Sequence, residues 1–223
     1  MTLLEATQVR HSVRRYTDEP LRKEHILALT EEMEKVNQES GLNIQLVTGE
    51  PKAFDGLLNH YGWITGVTDY FALVGKDDEA LEPLCGYWGE HLTLFAQTLG
   101  INSCWAAGTY RKIPDAYTVK DGEKMLMVIA LGYGENQGKS RKSKTYKQVA
   151  DAPEDAPKWF IDGVECALLA PTAINQQKFK FTLREDGKTV SATAQKGPWS
   201  MTDLGIVKYH FELAAGKENF IWE

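Results

Sequence analysis

The sequence predicts an α+β protein forming a single domain over residues 1–223. Three observations carry this: segments with a helical apolar period, short apolar or alternating runs of strand length, and a tight hairpin turn between two of those runs. At 43% hydrophobic and 25% charged over 223 residues, the chain has ordinary globular usage and enough length for one well-buried core.

Residues 22–36 place Ile26, Leu29, Met33 and Val36 on one helical face, and Gly41 supplies the C-terminal stop. Residues 43–48 predict a short strand, and Asp69 to Gly75 an apolar strand closed by glycine. The strongest helix runs from about Leu81 to Leu99, with Leu84, Tyr87, Trp88, His91, Leu92, Phe95, Ala96 and Leu99 as a broad stripe before Gly100. His91 on that stripe reads as a satisfied core histidine rather than a base. Lys124 to Gly132 reads as a central strand. A basic stretch, Gly138 to Lys147, and an acidic connector, Ala152 to Pro157, follow.

Residues 156–169 are helical until Pro171 stops them. Lys178 to Arg184 alternates as a strand, Glu185 to Lys188 turns, and Thr189 to Ala194 returns. Thr202 to Ala215 closes the series as an amphipathic helix with Leu204, Val207, Lys208 and Phe211 on one face. The connector near 151–157 is a candidate boundary, but each flank holds too few strands to stand alone.

Composition excludes several classes. A net charge of −6 makes a poor general nucleic-acid binder. No signal peptide is visible, and the longest clear apolar run, Met125 to Leu131, is far short of the ~20 residues of a membrane helix. Cys85, Cys104 and Cys166 form no Cys-x-x-Cys, which fits a reducing cytoplasmic setting. His11, His25, His60, His91 and His210 make no zinc spacing. Six Trp and nine Tyr serve a core or line a pocket for a flat ligand.

Five segments carry chemistry-bearing residues. Arg10-His11-Ser12-Val13-Arg14-Arg15-Tyr16 holds three guanidiniums and a hydroxyl; four residues apart, Arg10 and Arg14 would share one face of a helix, an arrangement suited to an anion such as phosphate or to a solvated basic face. Gly132-Tyr133-Gly134 with Gly138 has the wrong spacing for a dinucleotide loop. Lys139 to Lys144 is a loop or a phosphate clamp, without interleaved aromatics for base stacking. Ala170 to Gln177 offers small residues and the amides of Asn175 and Gln177 on one turn. Asn102 to Thr109 is rich in small residues around Trp105, with backbone N–H groups that could serve a ligand, and Cys104 has no local base or cation to activate it.

Taken in order, these segments, together with Leu99-Gly100-Ile101-Asn102-Ser103-Cys104-Trp105 and Asp203-Leu204-Gly205-Ile206, resemble the nitroreductase-like FMN flavoprotein family. The nearest likeness is its divergent branch, whose Ala-Pro-Ser/Thr-Ala-x-Asn motif lies late in the chain. The resemblance implies a central, mostly antiparallel sheet flanked by helices, and an intertwined homodimer with FMN in the subunit interface. It assigns the phosphate and pyrimidine edge to Arg10, Ser12 and Arg14, and further phosphate contacts to Lys139 and Arg141. The ring side falls to Asn175, with Thr172 and Gln177 beside it, and backbone contacts near the flavin N5 fall to Ala106, Ala107 and Gly108. His11, Trp105, Pro171 and Ala173 complete the expected cofactor-binding set. Where the family often continues Gln-Pro-Trp, this chain has Gln177-Lys178-Phe179.

The implied activity is FMN-dependent oxidation of NADH or NADPH, with ping-pong transfer to a nitroaromatic, quinone or similar small acceptor. No nucleophile, metal or carboxylate pair is required of the protein, because the cofactor carries the redox chemistry. Arg14 is the candidate cation for the reduced ring. The rival reading is a flavin carrier or sensor without turnover.

Overall fold

The four long helices form where the apolar period places them. In the computed structural model, which describes residues 1–55 and 64–223, α1 spans Leu3–Val9, α2 Lys23–Ser40, α3 Leu81–Thr98, α4 Tyr146–Val149, α5 Lys158–Ala167 and α6 Ser200–Ala215. Gly41 ends α2 in the left-handed region (φ 72°) and donates its N–H to the Asn37 carbonyl, the expected glycine stop. His60 lies outside the described residues.

The chain folds as two compact units. The first comprises residues 1–8, 82–90 and 141–223; the second comprises 9–81 and 91–140.

The second unit is built on a four-stranded antiparallel sheet, β1 (Gln45–Val47), β2 (Asp69–Lys76), β4 (Glu123–Gly132) and β3 (Asn102–Ala106), in that spatial order. Phe71 pairs with Ile129 and Ala72 with Val128, and β4 is buried from Met125 through Gly132, as its unbroken apolar run requires. Val13, Tyr16, Phe54, Tyr70, Val74 and Val128 belong to one core cluster of this unit. Asn37 ties the end of α2 to the sheet, its amide both donating to the Ile44 carbonyl and accepting from the Ile44 N–H, each at 2.8 Å. His91 is satisfied as expected, with Nε2 2.7 Å from Glu32 Oε1.

The first unit adds a second four-stranded sheet, β5 (Ala150–Asp151), β6 (Phe179–Leu183), β7 (Thr189–Ala194) and β8 (Ile221–Trp222). The predicted hairpin is β6–β7, and its turn is fixed by Asp186, whose carboxylate accepts from the N–H of Lys188 and of Thr189. Aromatic rings fill this unit: Phe211 stacks on Phe181 with centroids 4.8 Å apart and meets Phe220 edge-on at 5.1 Å.

Two local expectations are corrected. Residues 10–16 are not helical. Helix α1 ends at Val9, and the chain then runs extended, with bridges from Ser12 to Ser103, Arg15 to Thr65 and Tyr16 to Gly134. Pairing with three other segments outweighs the helical spacing of Arg10 and Arg14. Helix α6 is not one-sided either: Thr202, Asp203, Ile206, Tyr209, His210 and Phe211 are all buried, so it is a central helix of its unit.

Candidate functional site

In the second unit the arginine segment is held by backbone. Val13 N–H donates to the Ser103 carbonyl at 3.0 Å, Thr17 N–H to Tyr133 at 2.8 Å, and Glu135 N–H to Arg15 at 3.0 Å. The glycines of residues 132–138 allow that closeness. A Cβ on Gly132 would stand 2.7 Å from the Tyr16 ring, and one on Gly138, itself left-handed at φ 76°, 2.6 Å from His11 Cβ. Asn102 locks the turn, accepting from Gly134 N–H at 2.9 Å and donating to Gln137 Oε1 at 3.0 Å. The Gly-x-Gly pattern is therefore a packing device.

Arg10, Ser12 and Arg14 all lie close to Cys104 in this unit. Burial raises the Cys104 thiol, while Arg14, Arg10 and a hydrogen bond with Ser12 pull it back down. Burial likewise lifts the Tyr16 phenol far up, reinforced by Cys104 and opposed by the same two arginines. Cys104 does have cations near it in space, but burial dominates, so it is an unreactive thiol. Arg10 is 2% exposed, whereas Arg14 is exposed. Among the described residues no carboxylate forms an ion pair with Arg14. Lys139, directly after Gly138, is exposed next to the His11–Ser12 backbone. Trp105 and Ala106 pair with Ile129 and Val128 inside β3, and Ala107 and Gly108 lie just past its end.

The first unit holds the rest of the expected set. Arg141 donates Nη2 to the carbonyls of Leu168 (3.1 Å) and Ala170. Asn175 Nδ2 donates to the Lys142 carbonyl at 2.9 Å. Gln177, buried, accepts from Lys144 N–H at 2.8 Å and donates to Asn175 Oδ1 at 2.8 Å. Gln177 therefore stitches the basic loop to the turn after Pro171. In that turn Ile174, Asn175 and Gln177 all have positive φ (48°, 56° and 47°). Such backbone costs about 1–3 kcal/mol per residue and is most anomalous for β-branched Ile174.

Thr172 Oγ1 accepts from Gln177 N–H at 3.0 Å, and Ala173 N–H donates to both oxygens of Asp203 (2.9 and 3.2 Å). Burial lifts Asp203 to about 6, against the hydrogen bonds from Gln176 and Ala173. Phe179 is a core residue of β6 at 1% exposure.

Two features were not foreseen. A cavity of about 860 Å³ in the second unit is lined by Asp18, Glu19, Asp55, Asp69 and Glu135 with no Lys or Arg among the described residues, the wrong sign for a phosphate. In the first unit His210 and Glu90, both fully buried, form an ion pair at 2.9 Å. Among the described residues no group of three or more His, Cys, Asp or Glu is placed to hold a metal ion, and no helix is long and apolar enough to cross a membrane.

An antiparallel sheet with flanking helices is the architecture of nitroreductase-fold proteins. The family model described as "Putative TM nitroreductase" matches residues 2–215, and the chain belongs to that family, among nitroreductase-like oxidoreductases. Solved structures share its fold. A putative nitroreductase of Thermotoga maritima is 20% identical, with TM-score 0.65 over 96% of this chain and 83% of that one. Nitroreductase A of Vibrio parahaemolyticus is 13% identical, with TM-score 0.53 over 66% and 73%. A putative nitroreductase of Desulfovibrio desulfuricans, solved in complex with FMN, is 16% identical, with TM-score 0.50 over 69% and 98%. No curated protein matches the chain in sequence.

Proposed function

We propose that this protein binds FMN and is an NAD(P)H oxidoreductase that reduces small conjugated acceptors such as nitroaromatics or quinones, working as a homodimer. The observation that carries the reading is the second unit's donor set: Arg10, Ser12 and Arg14 gathered about Cys104, with Lys139 directly after Gly138, which packs against His11 and Ser12. Guanidinium forks, a hydroxyl and an ammonium fit a phosphate monoester, which accepts several charge-assisted hydrogen bonds.

Bound FMN would supply the two-electron redox chemistry. The protein's part is to hold and orient. Arg10, buried and fixed, sets the position of the anion, while exposed Arg14 and Lys139 neutralise its charge. The resemblance assigns the ring to the first unit's Thr172 and Asn175, on the strained turn with Gln177 buried behind them. Trp105 to Gly108 offer backbone at the end of β3. Donor and acceptor occupy the site in turn, which gives ping-pong kinetics.

The visible spectrum of the purified protein, followed by anaerobic NADH or NADPH, tests this. An oxidised-flavin spectrum that bleaches is the expected result and identifies the donor. Flavin that resists both donors would favour the carrier or sensor, and failure to take up added FMN would overturn the cofactor assignment. Arg14→Ala is expected to weaken FMN binding about 10–100-fold, the worth of one or two charge-assisted hydrogen bonds, and to flatten its salt dependence. Fluorescence titration at two ionic strengths measures both.

A further inference from the structure

We infer that Asp203 is a positioning residue: from the first turn of α6 its carboxylate clamps the strained turn that carries Asn175, and thereby sets the geometry in which that turn meets the flavin. The inference rests on the FMN reading above and extends it to a residue outside the expected binding set.

The turn's own hydrogen bonds, Asn175 N–H to the Thr172 carbonyl and Gln177 N–H to Thr172 Oγ1, still leave two strained residues. Ile174 and Asn175 are left-handed without being glycine, and Ile174 is 83% exposed, so no packing of its side chain compensates. A further restraint lies beneath it. Asp203, 3% exposed, accepts the Ala173 N–H on both oxygens and Gln176 Nε2 at 2.7 Å on Oδ2, gripping the turn on each side of the strained pair. Gln176 Nε2 also donates to the Pro198 carbonyl at 2.7 Å, just before α6 begins. The clamp thus spans backbone and side chain of one turn, and its base is a buried helix whose N-terminal dipole favours an anion there. An asparagine of the same shape would supply one acceptor oxygen and set an N–H₂ group against another donor, so Asp203→Asn opens the clamp without changing volume.

The test compares Asp203→Asn with the unmodified protein by three readouts: amide hydrogen exchange of residues 172–177 without flavin, the FMN dissociation constant, and the visible bands of bound FMN. Exchange at Ala173 and its neighbours is expected to quicken at least about tenfold, FMN affinity to fall about tenfold, and the bands to shift toward those of free FMN. A purely structural Asp203 would speed exchange throughout α6 and leave the affinity and bands unchanged, which would overturn the inference. If the unmodified protein takes up no FMN, the flavin reading fails by itself and the exchange readout still decides whether the clamp exists; unchanged exchange in the turn refutes it. Should Asp203→Asn not fold, Gln176→Ala, at a partly exposed position, removes the side-chain half of the clamp and is expected to move the same readouts in the same direction.

Discussion

Glu90→Ala is expected to destabilise the protein by on the order of 3–5 kcal/mol, because it strips the partner from a buried charge. His210 is fully buried. Its Nδ1 lies 3.2 Å from the Cys166 carbonyl and its Nε2 2.9 Å from Glu90 Oε1, so both ring nitrogens face acceptors and the imidazole carries two protons. Burial by itself would lower its pKa; the hydrogen bonds to Cys166 and Glu90 and the glutamate charge outweigh that and lift it to about 9. A proton held more tightly in the folded state than in the unfolded one stabilises fully below the ordinary histidine value of about 6.5. That contribution drains away as pH climbs through about 9. Asp203, lifted to about 6, titrates at the lower edge of this window and is ionised by pH 7.5, so the fall between pH 7.5 and 9 belongs to His210.

Denaturant unfolding at pH 6, 7.5 and 9 should therefore show falling stability, and Glu90→Gln should reverse the trend. Glutamine can donate to a neutral imidazole, whose burial then resists protonation, so stability declines toward low pH instead. A flat profile in the unmodified protein would refute the assignment of a charged pair.

None of this was legible in the sequence, where Glu90 and His210 lie 120 positions apart. What was legible is local. The 3.6 period found α2, α3, α5 and α6, and glycine and proline placed their stops, because those signals act within one element. Strand β3 was missed. Asn102 to Ala106 is short and small, and it becomes a strand only by pairing with the apolar β4. The same nonlocality misled the reading of Arg10 and Arg14. Their spacing fits a helix, but bridges to Ser103, Thr65 and Gly134 hold the segment extended. Asp203 was visible within a motif, yet its work could not be read there: its partners, Ala173 and Gln176, come from another turn of the chain.

Gly205→Ala is expected to lower stability by about 3 kcal/mol, the reverse of what this substitution does in an exposed helix. Alanine ordinarily gains up to about 1 kcal/mol over glycine in a helix interior. Here a Cβ on Gly205 would lie 2.1 Å from the Pro83 carbonyl oxygen and 2.7 Å from the Tyr87 nitrogen. One on Gly86 would lie 2.0 Å from the Thr202 carbonyl oxygen. Helices α3 and α6 therefore touch backbone to backbone at this crossing, and no side-chain rotamer can relieve the clash. The helices must part by an ångström or more.

Parting them also strains what spans the crossing: the Tyr87–Tyr209 edge contact at 5.0 Å, the short Tyr87 hydrogen bond to Glu212, and the His210–Glu90 pair. Overpacking of an ordinary core site costs about 1–3 kcal/mol, and this site sits at the upper end because the obstacle is backbone. The double substitution of Gly86 and Gly205 by alanine should cost clearly less than the sum of the singles, since the first already separates the helices the second would push apart. Denaturant unfolding of the two singles and the double measures that coupling. Additive losses, or a Gly205→Ala protein more stable than its parent, would mean that the helices do not meet at these glycines.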